Sequence, residues 1–285
     1  MRQIAHHDAL QFLTDRPPSR HRLPVPVPPV SLSRRSRSFA LCFAGLACAC
    51  SGQANVSPAG EAGGGSGPSQ PAARQHNPEC VAPAGVNNAP RSIAETVTLL
   101  NALPMPVTLP CFLESLARPL EINATNSLFS AQPAQGARSP RIFLFRDPNT
   151  MSIVPAGAGA PLLEFGEQRP NYRSLKAQIE FPVVAPLSLT APYQDLSFSD
   201  QLTSCGVCHA SEQQESNLSG VQTYVSQSLR PLARDFVSAD DLRNEWIRCD
   251  SGLEADRCAM LDGLLGWGPV GDRAFPVEMA TFGGG

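Results

Sequence analysis

The runs Ile142-Phe143-Leu144-Phe145 and Ala177-Gln178-Ile179-Glu180-Phe181 decide the fold class of this sequence. The second run alternates apolar and polar residues with a period of two, which is typical of a strand with one buried face. Ile153-Val154 and Leu162-Leu163-Glu164-Phe165 are further apolar runs, and Pro, Gly and Asn separate them. The pattern predicts a β-rich, sandwich-like domain or sheet over residues 80–195.

Helical patterns occur on both sides of these runs. A capping-box pattern, Ser92-x-x-Glu95, precedes an apolar run and predicts a helix over 92–103. Residues 242–249 and 258–265 have the patterns of two short helices, and Gly266 follows the second. We therefore predict an α+β chain in which a small, mostly helical domain over 196–285 follows the β-rich domain.

Composition and charge narrow the function classes. The 285 residues include 28 Pro and 22 Gly, and only 16% are charged, which indicates a loop-rich protein with a modest core. Beyond residue 50 there are 15 Lys and Arg against 23 Asp and Glu, a balance of −8. An acidic chain without a basic stripe argues against nucleic acid as a partner. The charge is compatible with a basic redox partner, but it identifies none.

The first 50 residues have the pattern of an export leader. A positive segment, 34–37, precedes the apolar run 39–49, which is shorter than the roughly 20 residues that span a bilayer. Small residues then lead into Cys50, and the segment 34–50 resembles a bacterial lipoprotein signal peptide with Cys50 as the lipidated residue. Cys48 is a second candidate, and an ordinary secreted protein cut near Ala49 is the alternative. We expect a lipid-anchored protein of the cell envelope.

Two flanking segments are expected to lie outside the folded part. Residues 1–33 precede the positive segment and are interpreted as a non-structural extension from an early start codon. Residues 51–79 are rich in Gly, Ala, Ser, Pro and Gln, and this composition predicts a flexible linker between the anchor and the folded domains.

The motif with the most chemical content is Cys205-Gly206-Val207-Cys208-His209. It fits C-x-x-C-H, the attachment pattern of c-type haem. In that chemistry two thiols bind the two vinyl groups of haem, and the adjacent imidazole binds the iron. The spacing therefore predicts one covalent haem c, tethered by Cys205 and Cys208, with His209 as the iron ligand.

Through these five residues the sequence resembles the cytochrome c class, and the last 80 or so residues resemble it only loosely. The resemblance implies a small helical domain, electron transfer and a sixth iron ligand, usually a Met in a loop next to Pro or Gly. Met260 suits the usual separation from the motif, whereas Met279 suits the loop setting. Both could equally be core residues, which would leave the iron five-coordinate.

Three other interpretations of the motif stay open. A thioredoxin-type pair needs a buried apolar strand, and usually a Trp, before the first cysteine, and residues 200–204 supply neither. A structural zinc site would need Cys249 and Cys258 as further ligands. Plain disulfides without a cofactor are the third. Under the haem hypothesis four cysteines remain, and we expect Cys249 to pair with Cys258 and Cys80 with Cys111.

The sequence thus favours a single-haem electron-transfer lipoprotein. The rival is a binding or scaffold lipoprotein in which the motif is structural, and a haem enzyme or sensor is a third hypothesis. No acid–base pair or nucleophile triad is visible, so no catalytic residue is assigned. Trp246 and Trp267 flank the segment between Cys249 and Cys258 and are candidates either for packing on haem or for the core.

Overall fold

The structure, a computed structural model, describes residues 75–127, 132–194, 196–199, 202–209, 211–218 and 220–281. The leader with Cys48 and Cys50 and residues 51–74 of the predicted linker lie outside the described part. Residues 75–79 were wrongly assigned to the linker, because the Asn77 amide donates to the Glu114 carboxylate at 2.8 Å and a 3-10 helix begins at Pro78. The α-helices are α1 Ile93–Ala102, α2 Leu109–Ser115, α3 Ala191–Gln194, α4 Ala239–Ile247 and α5 Ala255–Leu265.

The strands are β1 Leu120–Thr125, β2 Arg141–Arg146, β3 Asn149–Ile153, β4 Leu162–Arg169, β5 Arg173–Glu180, β6 Ser197–Ser199, β7 Leu202–Thr203, β8 Gln213–Leu218, β9 Val221–Gln227, β10 Phe236–Val237 and β11 Val270–Asp272. Short 3-10 helices form at Pro78–Cys80, Ser204–Val207 and Ala233–Asp235. The helices found over the predicted segments 92–103, 242–249 and 258–265 confirm those predictions.

One large mixed sheet organises the described residues. Strands β1 to β5 form an antiparallel meander, and the full order is β10-β1-β2-β3-β4-β5-β9-β8. Strand β1 pairs with β10 in antiparallel orientation and with β11 in parallel orientation. Strands β6 and β7 form a separate two-stranded ribbon. A sheet of this kind with helices packed on it confirms the α+β class.

The two faces of the sheet differ in chemistry because side chains alternate along each strand. A row of apolar residues crosses the meander in register and consists of Ile122, Leu144, Met151, Phe165 and Ala177. This face forms the hydrophobic core together with the apolar sides of α1, α2 and α5. The opposite face presents mainly polar side chains, with Phe143 and Phe145 packed on Phe275, and the motif lies on that side.

The first helix begins as its capping pattern predicts. The Ser92 hydroxyl accepts a hydrogen bond from the amide of Glu95 at 3.1 Å. The Glu95 carboxylate accepts from the amide of Arg91 at 2.7 Å. Glu167 on β4 accepts from the amide of Ile93 at 2.9 Å, which puts a negative charge at the helix N-terminus. The helix is therefore fixed to the sheet at its first turn.

Both expected disulfides are present. Cys80 is bonded to Cys111 on α2, and Cys249, just after α4, is bonded to Cys258 on α5. The first bond joins the start of the described chain to the helical layer, and the second joins two consecutive helices. None of the described helices has the length and apolar character needed to cross a membrane.

The sheet continues across the predicted domain boundary at 195/196. Strand β9 pairs with β5, and β10 and β11 pair with β1, so residues 196–281 contribute strands as well as α4 and α5. This differs from a sandwich-like domain followed by a separate, mostly helical one. The sequence did not predict this because β8, Gln213–Leu218, lies at the edge of the sheet and contains few apolar residues, so it lacks the pattern of a buried strand.

Candidate functional site

A recess opens on the polar face of the sheet beneath the motif. Two residues of the motif, Cys205 and His209, line it, and we call it the motif recess. Its volume is about 70 Å³, well below the roughly 300–1,000 Å³ of pockets that enclose a drug-sized ligand. The lining includes Arg141, Glu164, Gly166, Lys176, Cys205 and His209.

Sheet register explains why there is space at this point. Lys176 on β5 lies directly opposite Gly166 on β4, which has no side chain to fill the face. A Cβ added at Gly166 would lie 3.3 Å from the Ser174 hydroxyl oxygen, a tight contact. Glycine at this position therefore keeps the floor of the recess open.

Local hydrogen bonds hold the motif above the recess. The amide of Ser204 donates to the carbonyl of Leu196 at 2.9 Å. Glu212 follows the motif, and its carboxylate accepts from the amide and the hydroxyl of Thr203 at 2.7 and 2.5 Å. The Thr203 hydroxyl in turn accepts from the amide of Cys205 at 3.2 Å. Residues after the motif thus fix the residues before it.

The motif itself is a tight turn. The carbonyl of Cys205 accepts from the amide of Cys208 at 3.1 Å and from the amide of His209 at 2.9 Å. The turn brings the second cysteine and the histidine back beside the first. Cys205 is half-buried and lines the recess, whereas Cys208 is exposed. Both thiols are free, unlike the four disulfide-bonded cysteines of the described chain.

The His209 imidazole is fixed by the end of β9. Its Nδ1 lies 2.7 Å from the carbonyl oxygen of Gln227. A carbonyl can only accept, so Nδ1 carries the proton and the lone pair of the neutral ring is on Nε2. Burial, with the positive charges of Lys176 and Arg141, lowers the pKa of His209 to about 3. The ring is therefore neutral at physiological pH, as a metal-binding imidazole must be.

Electrostatics in the recess are dominated by burial. Burial lowers the pKa of Lys176 to about 8 and raises the pKa of Cys205 to about 11, and each group partly offsets the shift of the other. At neutral pH the lysine is charged and the thiol is protonated. Cys205 is therefore a neutral thiol beside a buried ammonium group and has little thiolate character.

The candidate sixth ligands lie elsewhere. Met260 on α5 belongs to the core beneath the opposite face of the sheet. Met279 is buried, and its backbone carbonyl accepts from Nε of Arg230 at 2.8 Å. Neither methionine lines the motif recess, and neither do Trp246 and Trp267. Trp246 donates to Asp262 at 3.1 Å, and Trp267 stacks on His76 with ring centroids 4.4 Å apart.

The zinc interpretation is wrong in its proposed ligand set. Cys249 and Cys258 are bonded to each other and have no thiolate to offer a metal. No cluster of three or more potential metal ligands occurs in the part of the chain that the structure describes. The thioredoxin interpretation finds little support, because the motif lies in a single 3-10 turn after the two-residue strand β7.

The donor set of the motif fits a c-type haem. Two unpaired thiols and a neutral imidazole meet in one turn, and the second ring nitrogen of His209 donates to a carbonyl as in most metal-bound histidines. The recess itself, at about 70 Å³, is too small to enclose a porphyrin, and it contains the Arg141–Glu164 ion pair at 2.6 Å. The fit therefore concerns the attachment residues and the proximal ligand.

Sequence reasoning missed two residues of this site, Lys176 and Gln227. Lys176 lies on β5, outside the motif, and Gln227 contributes only its backbone carbonyl. No spacing rule therefore points to either residue. One compositional feature does: Lys176 is the only lysine in the 285 residues. Comparisons of the chain with protein-family models, with curated proteins and with solved structures found no match.

Proposed function

We propose that this chain carries one covalent haem c at Cys205, Cys208 and His209 and transfers electrons at the bacterial cell envelope. The observation that supports the proposal best is the hydrogen bond from Nδ1 of His209 to the carbonyl of Gln227. It fixes the neutral tautomer in which Nε2 is free to bind iron.

The cysteines give independent support. In the described chain four cysteines pair in two disulfides, whereas the two motif cysteines remain as thiols. Thiols of an exported protein normally form disulfides, and thioether attachment to haem would explain why Cys205 and Cys208 do not.

Each residue has a defined part in this proposal. Cys205 and Cys208 would tether the haem through its vinyl groups, and His209 would bind the iron. A bound haem would supply one-electron transfer, with a potential set by axial ligand, burial and hydrogen bonding. The Gln227 carbonyl orients the imidazole, and Glu212 holds the turn through Thr203.

The envelope location is part of the same proposal. Residues 34–50 would direct export, Cys50 would carry lipid, and residues 51–74 would link the anchor to the folded part. Residues 80–195 would then form the β-rich scaffold, and 196–285 would hold the haem on the sheet that both share.

If Cys50 carries lipid, Cys50→Ala should release the protein from membranes, whereas continued membrane binding would point to Cys48 or to no lipid.

The rival function is a binding or scaffold lipoprotein in which the motif is structural. It predicts a colourless protein with Cys205 and Cys208 in a disulfide. The free thiols and the neutral tautomer of His209, with its proton on Nδ1, favour the haem proposal over this rival.

The deciding experiment is export of the chain in a bacterium with haem-attachment machinery. Thioether bonds survive denaturation, so the protein should stain for haem on a denaturing gel and exceed the apoprotein mass by one haem. Cys205→Ala, Cys208→Ala and His209→Ala should each weaken or abolish attachment. His76→Ala is the matched control, because His76 is the only other histidine beyond the leader and should leave attachment unchanged. A colourless protein of apoprotein mass would refute the proposal.

A further inference from the structure

The single lysine of the sequence is placed where a lysine is costly. Lys176 is 7% exposed on β5, and every other basic residue of the Lys and Arg total of 22 is an arginine. An ammonium group loses its hydration on burial, so buried lysines are normally paired with an anion. The question is which anion Lys176 faces.

Within the described chain the answer is none. The ammonium group donates to the hydroxyl of Ser174 at 2.8 Å and makes no ion pair there. The nearby carboxylates have other partners: Glu164 pairs with Arg141 at 2.6 Å, and Glu212 accepts from the hydroxyl of Thr203. One of the three ammonium protons is therefore used, and by a neutral group.

Hydroxyl groups lie beside the amine. The Ser174 hydroxyl accepts from Lys176 at 2.8 Å and from Ser228 at 3.0 Å, and both serines line the motif recess, so the Ser174 proton remains to be donated. Ser226 lies opposite Ser174 in the sheet, and its buried hydroxyl has no hydrogen-bond partner among the described residues. Polar groups are rarely buried without partners unless something else supplies them.

The recess has room for a small anion beside the amine. Its volume is about 70 Å³, and Lys176 lines it together with Ser174, Ser228 and Arg141. The Arg141 guanidinium is already paired with Glu164, whereas Glu164 and Glu212 act on Lys176 without ion-pair contact. A carboxylate bound there would give the buried ammonium group the partner that the described residues do not supply.

We propose that Lys176 is the anchor of a carboxylate-binding site in the motif recess, with Ser228 at its side. The carboxylate could belong to a free small acid or to the haem of the proposed function, since both present the same group. This site does not depend on the haem proposal, because the buried ammonium group without an ion-pair partner belongs to the chain itself.

The single lysine allows a direct test. The exported chain, produced without haem-attachment machinery and labelled with 15N-lysine, should show one side-chain ammonium resonance that needs no assignment. Titration with sodium acetate at constant ionic strength should move this resonance saturably, and sodium chloride should not. A resonance that acetate leaves unmoved would overturn the proposal.

Variants check that the amine binds the ligand. Lys176→Met should weaken acetate binding measured by calorimetry by about 30-fold or more, because a buried charged partner is lost. Ser228→Ala keeps the charge and should weaken binding less. Arg234→Met removes an equal charge from an exposed side chain and is the control that should leave binding unchanged. Equal loss in Arg234→Met would show non-specific attraction and overturn the proposal.

A second preparation, made with haem-attachment machinery, separates the two sources of carboxylate. If a haem carboxylate occupies Lys176, the haem-loaded chain should not bind acetate while the haem-free chain does. If a free acid is the ligand, both preparations should bind it. A colourless second preparation would refute the haem proposal alone, and acetate titration of the haem-free chain would still decide the carboxylate site.

Discussion

The two disulfides should differ in what they contribute to stability. The Cys80–Cys111 bond closes a loop with a sequence separation of 31, and the Cys249–Cys258 bond closes one of 9. A cross-link removes loop-closure entropy from the unfolded chain in proportion to the logarithm of loop length. For these lengths the relation gives about 3.7 and about 2.6 kcal/mol at 25 °C, a difference of about 1.1 kcal/mol.

The perturbation is a paired replacement, Cys80→Ala with Cys111→Ala, compared with Cys249→Ala with Cys258→Ala. The free energy of unfolding, measured by urea denaturation, should fall in both and fall further in the first pair. Double replacement avoids a leftover thiol that could exchange with Cys205 or Cys208. Equal losses, or a larger loss in the second pair, would refute the loop-length reasoning and indicate that native packing at the bonds dominates.

Three further predictions concern the motif and the helical layer. In the haem-free chain, His209 has a folded pKa of about 3 against 6.5 when unfolded, so stability should be full above pH 6.5 and fall by about 2 kcal/mol by about pH 5. Urea denaturation at both pH values should show this fall, and His209→Gln should remove most of it. Alkylation of the same chain, followed by peptide mapping, should modify exposed Cys208 before Cys205, whose thiol is half-buried with a pKa raised to about 11; equal rates would contradict this. Gly263→Ala would put a Cβ 2.5 Å from the carbonyl oxygen of Pro110, so the thermal midpoint should drop by an amount equivalent to about 1–3 kcal/mol, and an unchanged midpoint would contradict close packing of α5 on α2.

Local patterns predicted the elements that have strong local causes. The helix α1 follows Ser92 because a short-range hydrogen bond caps it, β2 is a compact apolar run, and β5 carries the period-two alternation of a half-buried strand. The disulfide pairs were also predictable, because few cysteines were left once the motif was set aside. The helix and strand predictions needed only a few neighbouring residues, and the disulfide prediction needed only the number of remaining cysteines.

The features that could not be predicted from the sequence depend on pairing between strands that are distant in the chain. The hairpin of β8 and β9 is rich in polar residues and extends the sheet at β5, so its composition suggested a boundary at 196 where the sheet in fact continues. Lys176 and Gln227 meet His209 only through sheet register, which spacing does not encode. The motif predicted the donor atoms of the site, whereas its electrostatic surroundings needed the structure.

The parallel pairing of β1 with β11 has a consequence for how the chain folds. Leu120 pairs with Val270, a partner 150 positions later in the sequence. The meander from β1 to β5 needs only neighbouring segments and can form early, but one edge of β1 gains its last partner only when the C-terminal segment has been made. Until this pairing forms, that edge exposes unpaired backbone groups and can pair with a strand of another chain, so folding intermediates without β11 in place are the ones most prone to associate.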